Sequence, residues 1–115
     1  MDQKEKLRII VEALEGKIAH DIRVIRISEI SSMADYIVIA DGSNRNQVQA
    51  MCDNVEHAMA KNGEIMKNRE GYANGGWILL DYYDIIIHIF STEERSFYDL
   101  EHIWRDGTIV STGEL

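Results

Sequence analysis

Apolar residues recur at helical spacing in two segments of the chain. The first stripe consists of Leu7, Ile10, Val11 and Leu14, at positions i, i+3, i+4 and i+7. Asp2 precedes it, and Glu5 stands three residues later, which is the spacing of a capping box. The second stripe consists of Val48, Met51, Cys52, Val55 and Met59. It follows a turn at residues 41–44 and ends at Asn62-Gly63, a typical helix stop. The pattern predicts two amphipathic helices.

Shorter apolar runs between and after these helices predict strands, because they are rich in β-branched and aromatic residues. Four runs fit this description: residues 21–27, 35–40, 77–80 and 85–90. The loop at 28–33 allows antiparallel pairing of the first two. Residues 64–67 offer an additional short edge strand. The sheet is therefore predicted to have four strands, or five if that edge strand forms.

A third helix is predicted after the last strand. Ser91 and Glu94 have capping-box spacing, and Phe97, Leu100 and Trp104 follow on one helical face, which we expect to be core. The order α-β-β-α-β-β-α predicts an α/β domain with a mixed sheet. The crossover from the second strand through the second helix to the third strand is expected to be parallel and right-handed. We expect one domain over residues 1–104 and a tail over 105–115.

Strand parity separates the two faces of the predicted sheet. Trp77, Leu79 and Asp81 alternate onto one face, and Ile78 and Leu80 onto the other. An ionised Asp81 cannot lie beneath helices without a partner, so its face is expected to be the solvated one. His88 shares parity with Ile86 and Phe90 on the next strand. This predicts an exposed patch of Trp77, Leu79, Ile86 and Phe90 with Asp81 and His88 at its rim, which is typical of a docking site.

Composition limits the classes of partner. The 115 residues include 12 Lys and Arg against 20 Asp and Glu, a net charge of −8. The basic residues are scattered, so little or no direct nucleic-acid binding is expected, and a basic protein surface is the natural electrostatic complement. One cysteine cannot form an internal disulfide. No apolar run approaches the roughly 20 residues of a membrane span, and the charged N-terminus is unlike a signal peptide. A cytoplasmic protein is expected.

Candidate catalytic groups are few. Cys52 lies in a helical apolar stripe and is expected to be a core residue. The four histidines show no paired ligand spacing, so neither a metal site nor a cofactor is predicted. Gly42-Ser43 before a helix resembles the helix start of nucleotidyltransferases, whose next strand carries two alternating carboxylates for metal ions. Here Asp81 and Asp84 are three residues apart, which predicts opposite faces.

Several residues together carry a resemblance to one known family. They are Leu80-Asp81, Asp84, His88-Ile89-Phe90, Arg95, Phe97-Tyr98, Leu100-Glu101 and Trp104, with Asp21-Ile22, residues 34–40, Arg45, Gln47-Val48 and Glu70-Gly71 upstream. In this order they resemble the ribosomal silencing factor (Iojap) family, over about residues 7–104. The resemblance implies a nucleotidyltransferase-like fold without enzyme activity.

The resemblance also implies a function. A protein of this family is expected to bind a large-subunit ribosomal protein at the intersubunit face, to block joining of the subunits, and to repress translation when nutrients are scarce. A homodimer is left open. The alternative is a nucleotidyltransferase-like, nucleotide-binding enzyme. From parity, turn and helix position we expect the partner to contact Trp77, Leu79, Asp81, Tyr82, His88, Tyr98 and Glu101.

Overall fold

The computed structural model describes residues 1–115 as an α/β domain. Its strands are β1 (His20–Arg26), β2 (Tyr36–Gly42), β3 (Asn68–Glu70), β4 (Trp77–Asp81), β5 (Ile85–Ser91) and β6 (Thr108–Val110). Its helices are α1 (Gln3–Glu15), α2 (Arg45–Lys61), α3 (Thr92–Tyr98) and α4 (Leu100–Ile103), followed by a 3₁₀ turn at Thr112–Glu114. No helix combines the length and the apolar character that a membrane span requires.

The predicted helix starts are confirmed by their caps. The side chain of Asp2 accepts a hydrogen bond from the backbone N–H of Glu5 at 2.8 Å. Ser91 accepts from the N–H of Glu94 at 3.3 Å. At α2 the cap is Asn44. Each cap satisfies a backbone donor that has no partner within its helix.

The strands form one mixed sheet in the order β3-β4-β5-β2-β1-β6. Only β2 and β5 pair in parallel, and all other neighbours are antiparallel. The prediction that the strand at 77–80 runs parallel to the second strand is therefore wrong. The chain returns from α2 to the edge strand β3, reverses through the loop at 71–76 into β4, and reverses again into β5. Two successive hairpins thus place β5, not β4, beside β2.

The sheet has six strands, whereas four were predicted, or five with the additional edge strand. The edge strand expected at 64–67 forms immediately after that segment, as β3 (Asn68–Glu70). β6 lies in the segment 105–115, which was expected to be a tail, and it pairs with β1. Leu115 packs against the main core. This segment is part of the domain, because β6 covers the otherwise open edge of β1.

The third helix is broken, which was not predicted. Asp99 adopts a left-handed conformation with φ of 47° and separates α3 from α4. The break turns Phe97 away from Leu100: Leu100 is buried, Trp104 is half-buried, and Phe97 is 80% exposed. The expectation that Phe97 is a core residue is therefore wrong.

The sheet has a closed face and an open face. The closed face lies under α1 and α2 and contributes to a cluster of 19 buried residues that includes Ile78 and Leu80. The open face has a cluster of 8 buried residues, against which Trp77, Leu79 and Trp104 pack as half-buried side chains. The parity prediction for β4 is confirmed, since its residues alternate between the two faces.

Candidate functional site

The open face is built from cross-strand pairs of β4 and β5. Trp77 pairs with Phe90, Leu79 with His88, and Asp81 with Ile86. Directly paired residues in an antiparallel ladder share a face. The sequence therefore brought the expected residues together on one side of the sheet.

Four rings form an aromatic cluster around Trp77; its members are Trp77, His88, Phe90 and Tyr98. The ring centroid of Trp77 lies 5.0 Å from that of Phe90 and 4.5 Å from that of Tyr98. Its indole Nε1–H donates a hydrogen bond to Nδ1 of His88 at 3.0 Å. Beside the cluster, the exposed Phe97 meets Tyr98 edge-on. Tyr98, which was predicted to contact the partner, thus packs on Trp77 and is 41% exposed.

His88 and two of the predicted patch residues are more enclosed than expected. Phe90 is fully buried, and His88 and Ile86 are nearly so. Burial lowers the pKa of His88 from its ordinary 6.5 to about 4, so the imidazole is neutral at physiological pH. The patch expected to be fully exposed is therefore partly covered by α3 and α4, and only Trp77 and Leu79 reach solvent. Parity identified the face but could not reveal what packs on it.

An apolar groove of about 230 Å³ lies next to the aromatic cluster. Its lining residues are Ile27, Met33, Ile37, Leu79, Ile86, His88, Leu100, Ile103 and Trp104. At its rim Met33 is 69% exposed and Ile103 is 62% exposed. Sequence reasoning missed both, since Met33 stands in a loop and Ile103 in a helix of one turn.

Two carboxylates stand near Trp77 and Leu79. Asp81 accepts a hydrogen bond from the backbone N–H of Tyr83 at 2.8 Å, which stabilises the β4–β5 turn. Glu70 on β3 pairs with Leu79 and, with Trp77, lines a second shallow pocket. Gly71 follows it with φ of +81°, and a Cβ at this position would collide with the carbonyl oxygen of Trp77. Glu70 was not among the predicted site residues.

Tyr82 does not lie on this surface. It is 5% exposed and packs in the closed-face cluster, and burial raises the pKa of its phenol to about 12. The next residue, Tyr83, is 59% exposed. Tyr82, which was predicted to contact the partner, is thus the buried member of this pair, and its ring is not available for contact with a partner.

A buried ionic network fixes α3 to the sheet. Nη1 of Arg95 donates to Oδ2 of Asp41 at 2.9 Å and to the carbonyl of Asp21 at 2.6 Å. Arg95 and Asp41 are both almost inaccessible to solvent. Glu101, which was predicted to contact the partner, accepts from Nη2 of Arg95 at 3.2 Å. Asp41 was not predicted as a site residue. Glu101 therefore holds α4 to α3: its side chain is partly exposed, but Oε2 is bonded to Arg95 and Oε1 is buried without a hydrogen-bond partner.

The features that suggested nucleotide chemistry have structural roles. The N–H of Ser43 donates to Oε1 of Gln47, which makes Gly42-Ser43 a helix-entry turn. The carboxylate of Asp84 accepts from Gln3 of α1, on the side away from Asp81. The predicted opposite orientation of the two aspartates is confirmed.

One group of possible metal ligands exists on α2, away from the open face: Cys52, Asp53 and Glu56. The thiol is buried in the core, as predicted, and burial raises its pKa to about 12. The carboxylate of Glu56 pairs with Arg69 at 2.9 Å, and Asp53 accepts from the phenol of Tyr72. A protonated thiol is a poor metal ligand.

Comparison with known proteins agrees with this architecture. Residues 1–114 match the family model described as ribosomal silencing factor during starvation (RsfS). The ribosomal silencing factor RsfS of Bacillus subtilis (strain 168) is 37% identical over 110 residues, which cover 96% of this chain and 93% of that protein.

Two solved structures have the same fold. A crystal structure of protein CV0518 from Chromobacterium violaceum has a TM-score of 0.89 at 29% identity, covering 90% of this chain and 87% of that one. One from Bacillus halodurans has a TM-score of 0.85 at 30% identity, covering 95% and 99%. The chain therefore belongs to the ribosomal silencing factor family, whose members are ribosome-binding regulators and not enzymes, in agreement with the prediction made from its sequence.

Proposed function

We propose that the protein binds the large ribosomal subunit through its open face, on a basic ribosomal protein at the surface that meets the small subunit. Bound there, it blocks joining of the subunits by steric exclusion and lowers translation when nutrients are scarce. The observation that carries this proposal is an apolar, only partly covered open face in a chain that belongs to the ribosomal silencing factor family.

The exposed apolar area supports a protein partner. Phe97, Met33 and Ile103 are each more than 60% exposed. Met33 and Ile103 line the groove together with the half-buried Leu79, and Phe97 meets Tyr98, which packs on the half-buried Trp77. Large apolar side chains that converge on one surface are typical of interaction sites, and tryptophan and tyrosine are the residues most often found as energetic anchors. We assign the contact to Trp77, Leu79 and Tyr98, with Asp81 and Glu101 at the rim.

Charge supports a basic partner. The chain carries a net charge of −8, and several of its basic side chains are already paired with carboxylates, among them Lys6, Arg23, Arg26, Arg69 and Arg95. Glu70 and Asp81 make no ion pair within the chain. An acidic rim around an apolar centre steers a basic surface to the site, while an RNA backbone is repelled. We further propose that the protein acts in the cytoplasm and needs no cofactor.

Sedimentation with separated ribosomal subunits tests the proposal. The protein is expected to comigrate with large subunits and not with small ones, and to reduce the fraction of joined ribosomes when both subunits are mixed at an Mg²⁺ concentration that permits joining. The control is the protein with Trp77→Ala and Leu79→Ala combined. If the wild type migrates with neither subunit, or binds without affecting joining, the proposed function is wrong.

A further inference from the structure

Trp77 is held in one orientation by contacts on three sides. Its ring stacks on Phe90 at an interplanar angle of 28° and tilts against Tyr98 at 47°. These two contacts fix the plane of the indole. They do not distinguish it from the indole rotated by 180° about its Cβ–Cγ bond, which would lie in the same plane. The hydrogen bond from Nε1–H to Nδ1 of His88 distinguishes the two orientations, because an indole has one polar atom and that atom is a donor.

The same hydrogen bond fixes the state of the imidazole. Since Trp77 can only donate, Nδ1 of His88 must accept, and a neutral imidazole whose Nδ1 accepts carries its hydrogen on Nε2. His88 is 7% exposed, and its burial keeps the ring neutral at physiological pH. The acceptor is therefore present at physiological pH.

We propose that His88 is the positioning residue of the docking surface: by accepting the indole N–H it holds Trp77 in the orientation in which a protein partner meets it. This inference depends on the proposed function, in which Trp77 is a contact residue. His88 itself is largely enclosed and acts through Trp77. A half-exposed tryptophan without this acceptor has to be ordered when the partner binds, and that ordering reduces affinity.

Two substitutions at position 88 separate the acceptor from the rest of the side chain. His88→Asn retains an acceptor, because the amide oxygen can take the place of Nδ1, whereas His88→Leu has nearly the same shape as Asn and no acceptor. We expect His88→Leu to bind bacterial large subunits about tenfold more weakly than the wild type, and His88→Asn to remain within about twofold. Thermal unfolding of both variants shows whether each is folded.

Nuclear magnetic resonance of the indole and imidazole groups reports directly on the hydrogen bond between Trp77 and His88. The chain has two tryptophans, so the indole N–H of Trp104 is an internal reference for that of Trp77. We expect the Trp77 proton to exchange with water more slowly in the wild type and in His88→Asn than in His88→Leu. In the wild type, ¹⁵N shifts of His88 should show hydrogen on Nε2 and none on Nδ1.

The outcomes are separable from those of the proposed function. Three results would each overturn the positioning role. The first is that His88→Leu binds as well as the wild type, and the second is that both variants lose binding equally. The third is that His88 of the wild type carries its hydrogen on Nδ1. The last result requires no variant, so the inference can be tested even if His88→Leu fails to fold. If the wild type does not bind large subunits, the proposed function fails, and the resonances still decide whether His88 orients Trp77.

Discussion

The two faces of the sheet use the same strands for different purposes. On the closed face, α1 and α2 cover β4 and β5 completely, and Ile78 and Leu80 are inaccessible to solvent. On the open face, the cover is two short helices, and Trp77 and Leu79 of the same strand remain half-buried. Alternation along a single strand thus places side chains that stabilise the fold next to side chains that are free to bind.

This difference implies that stability and binding can be changed separately. Complete burial of a leucine contributes roughly 1.5–3 kcal/mol to folding, and partial burial correspondingly less. The half-buried residues contribute less free energy to folding, because part of their apolar surface stays in water. Burial of that remaining surface by a partner contributes to binding instead.

The ionic network beneath α3 is expected to give the largest effect. Arg95→Met leaves the carboxylate of Asp41 buried without its cation, which should lower the free energy of unfolding by about 3–5 kcal/mol. The matched control is Arg23→Met, because Arg23 pairs with Asp21 in an exposed ion pair and should cost less than about 1 kcal/mol. Urea unfolding measures both values. If they are equal, the buried network does not hold the open face together.

Neighbouring leucines of β4 test the two faces directly. Leu80→Ala removes a fully buried side chain and should destabilise the protein by about 2–5 kcal/mol. Leu79→Ala should cost about 1 kcal/mol in stability, because Leu79 is only half-buried, but it should weaken subunit binding. Denaturant unfolding and sedimentation are measured on the same preparations. A reversed order of the two stability losses would contradict the assignment of faces.

His88 should make stability depend on pH. Its pKa is about 4 in the fold and about 6.5 in the unfolded chain, so below pH 6.5 the unfolded state binds the additional proton. Its contribution is therefore complete above pH 6.5 and decreases as the pH falls, by about 3 kcal/mol at pH 4. Unfolding free energies of the wild type and His88→Leu at pH 7 and pH 4 isolate this contribution. An equal decrease in both proteins would show that His88 is not buried in neutral form.

Charge at the rim is expected to give the smallest effect, and mainly on the association rate. Asp81→Lys and Glu70→Lys should slow association with large subunits several-fold and change dissociation little, since rim charges steer the encounter. Glu114→Lys, in the C-terminal 3₁₀ turn, is the control. The difference should shrink as salt rises, because the Debye length is about 10 Å at 0.1 M. Faster association of Asp81→Lys would indicate an RNA partner.

The elements that could be predicted are those specified by local sequence. Capping boxes at Asp2 and Ser91 defined helix starts, and alternation in β4 defined which face each residue occupies. These features depend on residues within one turn or one strand. The family resemblance supplied the function, which neither charge nor periodicity identified.

The features that could not be predicted depend on distant or exceptional residues. The pair of Arg95 and Asp41 joins residues 54 positions apart. The left-handed conformation of Asp99 interrupts a helical pattern that has no glycine or proline at the break, so Phe97 was assigned to the core. β6 has only three residues, and its partner β1 lies more than 80 positions earlier in the sequence. Each of these alters what covers the open face, and therefore which predicted site residues are accessible.

Binding of Trp77→Ala tests the central claim, that the open face is a docking surface, most directly. We expect affinity for separated large subunits to fall by about 2 kcal/mol or more, roughly 30-fold, because aromatic anchors contribute on this scale. The unfolding free energy of the variant should fall less than that of Leu80→Ala. Ile18→Ala, which removes an 81% exposed side chain in the loop after α1, should bind as the wild type does. The docking-surface claim would be contradicted if folded Trp77→Ala bound large subunits with wild-type affinity. It would also be contradicted if Trp77→Ala lost as much unfolding free energy as Leu80→Ala.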